Sequence, residues 1–340
     1  MNRRTGAAFA ILLTIALLAA AGCSPSTPTD GSGEQTSPDF TVCTHEAYVS
    51  DPDISGDTVV WTDERNGNQD IYGYDLDTGT EFPVITDSTD QSHPDVAGDI
   101  VVWMDSANES YDIYGYNLSS RAQFPICTDA ATQWYPQVSG NTVVWTDERN
   151  GDSDIYGYDL STDTEFPICT AAGEQNQPVI SGDIVAWRDM RNHQPGIYGY
   201  DLSSGTGFPI ILEDADEEDL RWHLDMDGDV IVWEYLIMDG EYVTVRDIYG
   251  YDLTTDTEFP ICTNESDKYL PTVSGDIVIW LDERGGSIGI YGYDLSSGRE
   301  FPVYTSQHIP RTPAISGDVV VWQDYLSGAW VIYGDRLSFE

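Results

Sequence analysis

The sequence predicts an all-β fold: a seven-bladed β-propeller of four-stranded blades, closed by an N-terminal strand that completes the last blade. Three observations predict it. Seven tryptophans recur as a ruler, Trp61, Trp103, Trp145, Trp187, Trp233, Trp280 and Trp322, at spacings of 42, 42, 42, 46, 47 and 42 residues. Each interval holds the same four short strand-like runs. A copy of the fourth run stands alone ahead of the first interval. A period of about 40 to 50 residues is that of propeller blades.

The third repeat shows the four runs best, here lettered A to D. They are Pro136-Gln-Val-Ser-Gly-Asn141, Thr142-Val-Val-Trp-Thr-Asp147, Asp154-Ile-Tyr-Gly-Tyr-Asp-Leu160 and Glu165-Phe-Pro-Ile-Cys-Thr170. Turn residues separate them. Val143-Val144-Trp145 is apolar at successive positions, which puts apolar side chains on both faces of the sheet, as a blade packed between two others requires. No helical period competes. Gly73, Gly115, Gly157, Gly199, Gly250, Gly292 and Gly334 stand mid-strand C, and glycine within a strand marks close approach of another group. A neighbouring ring is expected to cover each one, with the strand-B tryptophan as the candidate.

The two chain ends explain closure. Phe40-Thr-Val-Cys-Thr44 matches the strand-D motif, whereas the seventh repeat stops after strand C at Gly334-Asp-Arg-Leu-Ser-Phe-Glu340. The early strand therefore completes blade seven and leaves no unpaired edge at the junction. The repeats run over about 45–86, 87–128, 129–170, 171–212, 213–263, 264–305 and 306–340, the last joined by 40–44.

Ahead of the repeats, Arg3 and Arg4, an apolar stretch from Gly6 to Ala21 and the junction Gly22-Cys23 read as an export signal over residues 1–22. Ala20-Ala21-Gly22-Cys23 resembles the lipobox of lipoprotein precursors, which makes Cys23 the expected lipidation site. Ser24 to Asp39, rich in Ser, Thr, Pro and Gly, reads as a flexible tether. The expected location is extracytoplasmic, lipid-anchored at the cell surface or the periplasmic side of a membrane.

Charge narrows the partners. The chain carries 59 acidic and 14 basic residues, a formal net charge of −45, and Lys268 is its only lysine. Such a surface repels nucleic acid and anionic lipid and stays soluble by self-repulsion. Nucleic acid is excluded as a partner, a monomer is expected, and the remaining partners are protein, glycan or cell-wall components.

The Ser55-Gly56-Asp57 turn, the Asp63-Glu64-Arg65 stretch and Asp70-Ile-Tyr72, repeated through residues 40–340, resemble TolB-like propeller repeats, especially those of cell-surface proteins from methanogenic archaea. TolB itself has Ser-Pro-Asp-Gly at the first turn. The resemblance implies the propeller fold. It leaves function open, because propellers host many activities.

Function is expected on one face. Strands alternate in direction, so the D-to-A and B-to-C connections share a face, while the near-identical A-to-B and C-to-D turns form the other. All five histidines (His45, His93, His193, His223, His308) and the three tryptophans outside the ruler (Trp134, Trp222, Trp330) are assigned to connections on the variable face. The position before the strand-A proline, or its equivalent, should ring the mouth of the central channel: Asp51, His93, Tyr135, Gln177, His223, Leu270 and Thr312. The candidate ligand-binding residues are His93, Trp134, Tyr135, Gln177, Trp222, His223, Tyr269 and Trp330, since aromatic side chains give large contact area at low entropic cost. Gln91, Gln133 and Gln175 recur two residues before the ring position, which points to structural hydrogen bonds. Blade five adds residues in both variable-face connections, an acidic run over 213–219 and a longer link from Tyr235 to Arg246.

Several motifs are weaker than they look. Asp225-Met-Asp-Gly-Asp229 lacks the spacing of a calcium loop and aligns with the ordinary turn. Cys43, Cys127, Cys169 and Cys262 share one strand-D position on different blades, too far apart for bridges. Asp63, Asp147 and Asp282, each followed by Glu and Arg, repeat as blade-to-blade ion pairs would, and an active site occurs once. No catalytic residue, cofactor or defined metal site is assigned, though carboxylates and histidines leave room for a divalent cation. Two functions follow: a surface-displayed binding or scaffolding protein, or a metal-dependent enzyme of the polysaccharide-lyase type, since some lyases of similar architecture use His and Gln on this face to hold a metal. Asn108, Asn117 and Asn264 each begin an Asn-x-Ser sequon.

Overall fold

The computed structural model describes residues 37–107, 110–191, 195–212, 220–239 and 242–338. Cys23, the export signal, most of the tether, His193, Asn108 and the acidic run over 213–219 lie outside the described residues.

Each ruler tryptophan sits in a strand B and is preceded by valine, isoleucine or alanine. Both faces of such a strand need cover, and two neighbouring blades supply it. Seven antiparallel four-stranded sheets result, each with the order A-B-C-D. In blade 1 the strands are Val49–Ser55, Thr58–Asp63, Asp70–Asp75 and Thr80–Ile85. The fold is a seven-bladed β-propeller.

The tryptophans lie between blades, as the pattern requires. Trp145 of blade 3 packs with Val102, Met104, Ile113 and Ile126 of blade 2, and Trp61 of blade 1 packs with Val319, Val321 and Ile332 of blade 7. Six of the seven have no exposed surface and Trp187 has 2%. Closure is also as expected. Phe40–His45 pairs with Ala329–Arg336, from Phe40 opposite Gly334 to His45 opposite Trp330.

The cover over the strand-C glycines is different from the expectation. The ring is the strand-D phenylalanine of the same blade, not the strand-B tryptophan. A Cβ built on Gly157 would lie 2.8 Å from Phe166, and one on Gly73 would lie 2.6 Å from Phe82. The C-to-D pairing sets Gly157 opposite Phe166, so the ring folds over the only residue without a side chain. At the seam Phe40 covers Gly334. The closing strand thus uses the same lock as the other six.

The arginine motif needs a second correction. The ion pairs lie within a blade, not between blades. The Arg65 guanidinium donates to Asp63 (2.5 to 2.9 Å) and to Glu81 of its own blade, and stacks over Tyr72 at 4.0 Å. What crosses the interface is its contact with the Cys43 sulfur at 3.6 Å; Arg149 reaches Cys127 at 3.0 Å and Arg191 reaches Cys169 at 3.3 Å. Burial opposes ionisation of Asp63, but the hydrogen bonds from Arg65 and Trp61 hold its carboxyl below the usual range. Burial pushes the Cys43 and Cys127 thiols up to about 12, so they stay protonated at neutral pH. All four described cysteines are free.

On the turn face the recurring serine bridges blades. Gly98 N donates to Ser55 Oγ at 3.1 Å, and Gly56 N donates to Ser316 Oγ at 3.0 Å across the seam. Asp227 takes the serine's place for Gly275 N at 2.7 Å, so Asp225–Asp229 is an ordinary turn of the array. The only lysine is also an interface part. Lys268, fully buried, donates to Asp247 of blade 5 at 2.9 Å.

Two substitutions test this packing. Trp145→Ala should cost about 3 to 5 kcal/mol by opening a cavity between blades. Gly157→Ala should cost about 1 to 3 kcal/mol through its clash with Phe166, and Phe166→Leu in the same chain should recover part of the loss. Chemical denaturation reads all three; an unchanged midpoint for Trp145→Ala refutes the placement of the ruler.

Candidate functional site

The strand-A segments wall a central channel, an open cavity of about 600 Å³. All seven ring positions, Asp51, His93, Tyr135, Gln177, His223, Leu270 and Thr312, line it. Their backbone left no trace in the sequence pattern. Each has a positive φ, between 41° and 54°, although none is glycine. The cause is a bulge in strand A, where two residues face one on strand B. In blade 1 Ser50 pairs with Thr62 and the next pair is Asp53 with Val60, which leaves Asp51 and Pro52 opposite Trp61. The following proline, present in six blades, keeps the ring residue out of the right-handed helical region. Left-handed backbone costs a residue with a side chain roughly 1 to 2 kcal/mol, and the ladders on both sides hold it.

One consequence corrects the expected placement of the candidate residues. His93, Trp134, His223 and Tyr269 lie inside strand A, not in the D-to-A loops, and His45 ends the closing strand. Trp330 lies in strand C of blade 7. His308 is in a loop, between Arg299–Thr305 and Arg311–Ser316.

The structure groups the candidates into three clusters. Over blades 2 and 3, His93 meets Tyr135 edge-on at 5.4 Å, Tyr135 lies 6.5 Å from Trp134, and Trp134 lies 5.1 Å from Tyr111. Tyr135 is 46% exposed, and Trp134 Nε1 donates to Glu148 at 3.1 Å. This band runs from the channel mouth outward.

The second cluster spans blades 5 and 6. His223 Nδ1 lies 2.8 Å from Glu234, whose side chain is 3% exposed, while the imidazole itself is 47% exposed. The same carboxylate accepts Leu270 N–H at 2.7 Å. Glu234 thereby fixes two ring positions at once and leaves the other edge of the His223 ring toward the mouth. Arg246 stacks over Tyr269 at 4.9 Å, and Tyr269 OH donates to Glu283 at 3.1 Å. Burial, then Asp267 and Glu283, push the Tyr269 hydroxyl up to about 12, so it stays a donor. The side chain of Trp222 is outside what the structure describes.

The third cluster straddles the seam. Trp330 lies 4.7 Å from Tyr48 of blade 1 and 4.8 Å from Tyr325, with Arg311 at 5.6 Å. It does not line the channel. Gln177 does, though the recurring glutamines two residues before the ring are structural: Gln91, Gln133 and Gln175 are buried, and each donates to a backbone carbonyl two residues back at 2.6 to 2.7 Å.

Below the ring, the next inward position reads Asp53, Asp95, Gln137, Val179, Asp225, Thr272 and Ala314. Glu234, Tyr111, Tyr48, Tyr325, Arg246, Asp53 and Asp95 were missed in the sequence, and Asp225 was considered only as part of a calcium loop. Glu234 left a signal: aligned on the ruler, the residue after each tryptophan is Thr62, Met104, Thr146, Arg188, Glu234, Leu281 and Gln323, and one alone is a carboxylate. Among the described residues no three of His, Cys, Asp and Glu come together as metal ligands. The described residues of the long link of blade 5 are strand. Strands Val230–Asp239 and Tyr242–Asp252 stay paired out to Asp239 opposite Tyr242, a two-stranded ribbon longer than strands B and C of any other blade.

Comparison with known proteins agrees on architecture. No protein-family model matches the chain, and no curated protein matches it significantly. Solved structures do. The β-propeller domain of the Trilobed protease from Pyrococcus furiosus is similar at a TM-score of 0.65 and 14% identity, over 89% of this chain and 97% of that one. An oligogalacturonate lyase in complex with manganese is similar at 0.66 and 12%, over 90% and 96%. The acylaminoacyl peptidase of Pyrococcus horikoshii is similar at 0.66 and 14%, over 86% of this chain and 52% of that one. At such identities the likeness establishes the fold alone.

Glu234→Ala should strip the acceptor from His223 and from Leu270 N–H. A buried donor left unpaired costs about 1 to 3 kcal/mol, whereas Glu234→Gln keeps an acceptor and should lose less. Thermal unfolding of the two variants distinguishes them, and equal melting temperatures would deny Glu234 this role.

Proposed function

We propose that the chain is an extracytoplasmic binding or scaffolding protein, lipid-anchored through Cys23, that grips a protein, glycan or cell-wall ligand on its variable face. The observation that carries this reading is the band from His93 through Tyr135 and Trp134 to Tyr111, opening at the mouth of the channel. Flat rings with polar edges, held on a rigid scaffold, suit recognition of sugar faces and of protein side chains alike. The export-like N-terminus and the TolB-like repeats support a place at the cell envelope.

A second reading has its own observation. The His223–Glu234 pair holds an imidazole by one nitrogen against a buried carboxylate, an arrangement that orients the ring and leaves its other nitrogen available for metal ligation or proton transfer. Together with the likeness to an oligogalacturonate lyase in complex with manganese, it supports a metal-dependent enzyme of the polysaccharide-lyase type on the same face.

Two experiments separate the readings. In a screen of neutral and acidic oligosaccharides, paired Trp134→Ala and Trp222→Ala substitutions should abolish binding while the melting temperature holds; binding that survives them removes the site. Calorimetric titration with Mn²⁺ after chelation reads the second. A stoichiometric site lost in His93→Ala or His223→Ala favours the lyase, and no heat of binding leaves the binding protein.

A further inference from the structure

The aromatic band has a counterpart across the ring. Trp134 and Glu148 of blade 3 correspond to Tyr269 and Glu283 of blade 6. Each aromatic residue stands just before its ring position, each glutamate follows the buried aspartate that ends strand B, and each aromatic side chain donates to its glutamate at 3.1 Å. What lies over the two rings differs. Ahead of Asp247 in strand C of blade 5 stands Arg246, whose guanidinium is 4.9 Å from the centre of the Tyr269 ring and 4.0 Å from the Glu234 carboxylate. Ahead of Asp112 in blade 2 the same place holds Tyr111, which packs on Trp134 at 5.1 Å. Glu148 is exposed, and no lysine or arginine among the described residues pairs with it.

The fold itself shows what such a set of groups holds. Arg65, Arg149, Arg191 and Arg284 each lie over a strand-C tyrosine at 3.7 to 4.2 Å and donate to the aspartate two residues earlier. A planar guanidinium stacks on a ring and bonds carboxylates at the same time. Blades 2 and 3 present the ring and the carboxylate without the guanidinium.

The channel below the band has the same sign. Asp51, Asp53, Asp95, Asp225 and Asp227 line it, with neither lysine nor arginine. Asp53 and Asp95 each give one oxygen to a backbone amide of the next blade, Val96 N–H at 2.8 Å and Val138 N–H at 2.6 Å, and such bonds favour the ionised carboxyl. Burial, and more weakly the like charge of a channel neighbour, act against ionisation, and a cation beside them favours it. These two carboxylates stand two residues inward of the ring positions, roughly 6 to 7 Å along a strand, a depth that an extended arginine stem covers. An acidic saccharide would meet like charge on this path.

We propose that the band takes an arginine-bearing segment of a partner protein, with one guanidinium on Trp134 and Glu148 and a second directed down the channel toward Asp95 and Asp53. This rests on the reading of the variable face as a binding surface and names the chemistry of its ligand.

The experiment is calorimetric titration of the full chain at fixed ionic strength and about pH 8, above the carboxylate range. The probes are a hexapeptide of alternating arginine and glycine and the same peptide with citrulline, which keeps the shape of arginine without its charge. The arginine peptide should bind one to one and at least about tenfold more tightly than the citrulline peptide, a difference of about 1.4 kcal/mol. Glu148→Gln, and separately Asp53→Asn with Asp95→Asn, should each weaken it by about tenfold. Asp57→Asn with Asp99→Asn removes the same charge from the exposed turn face and should leave binding unchanged. A net charge of −45 draws any cation, so equal weakening by the turn-face pair, or several peptides bound per chain, overturns the proposal. Equal affinity for the citrulline peptide, or no binding of the arginine peptide, overturns it as well. Melting temperatures report whether the variants fold; should the channel pair fail to, Glu148→Gln, on an exposed side chain, decides. If the arginine peptide fails while an oligosaccharide binds and is lost with Trp134→Ala and Trp222→Ala, only the ligand class falls; if neither binds, the reading of the face falls with it.

Discussion

Every other feature depends on one contact, the strand-B tryptophan of each blade pressed against the blade before it. A single four-stranded sheet of six-residue strands cannot bury both of its faces. Each blade is therefore stable only in company, and the array is stable only when the last blade meets the first. The seam repeats the general rule with parts taken from both chain ends: Trp61 packs on Ile332, Phe40 covers Gly334, and Gly56 N bonds Ser316. Closure by hydrogen-bonded ladder rather than by packing alone leaves no strand edge open at the junction.

The charge pattern follows from the same geometry. Described arginines of the repeat are spent on aspartate, glutamate and tyrosine of their own blade, and Lys268 is spent inside an interface. These cations thus stabilise the scaffold, and the excess of carboxylates is left on the surface and in the channel. Within the scaffold the arginine head also touches the cysteine of the preceding blade, which explains why that cysteine recurs without a partner cysteine. It is a small buried contact, kept protonated by burial.

Much of this was legible in the sequence and some of it was not. Trp61 to Trp322 and the displaced Phe40-Thr-Val-Cys-Thr44 motif carry blade count and closure, because both are long-range patterns that local noise cannot produce. The ring around the mouth was legible as a position, before each strand-A proline, but its left-handed backbone was not. Glycine, which such a backbone favours most, stands at none of the seven positions, Tyr135, Leu270 and Thr312 are types that disfavour it, and the two-against-one count that forces it appears only when strands A and B are paired. The cover of Gly157 was misassigned for a related reason: it follows from the register of strand C with strand D, where Phe166 is opposite. Glu234 and the ribbon of blade 5 did leave traces, a lone carboxylate among the residues that follow the ruler tryptophans and an Asp-Gly pair at 239–240, which is a hairpin signal.

Strained backbone is often read as a mark of function, and here that reading has to be made with care. The positive φ occurs at all seven ring positions, including Leu270 and Thr312, so it belongs to the bulge and to the architecture. What varies is the side chain that the bulge holds out. Seven identical brackets present aspartate, histidine, tyrosine, glutamine, histidine, leucine and threonine to one opening, and the neighbours of these brackets differ as well: Tyr135 leans on His93 and Trp134, whereas His223 is tied to Glu234. The turn face shows the opposite behaviour, with one serine–glycine clamp repeated at five of the seven interfaces. A scaffold that repeats its backbone and varies its side chains mainly on one face lets that face change at little cost to stability, which is the physical ground for setting the proposed binding surface at the mouth of the channel.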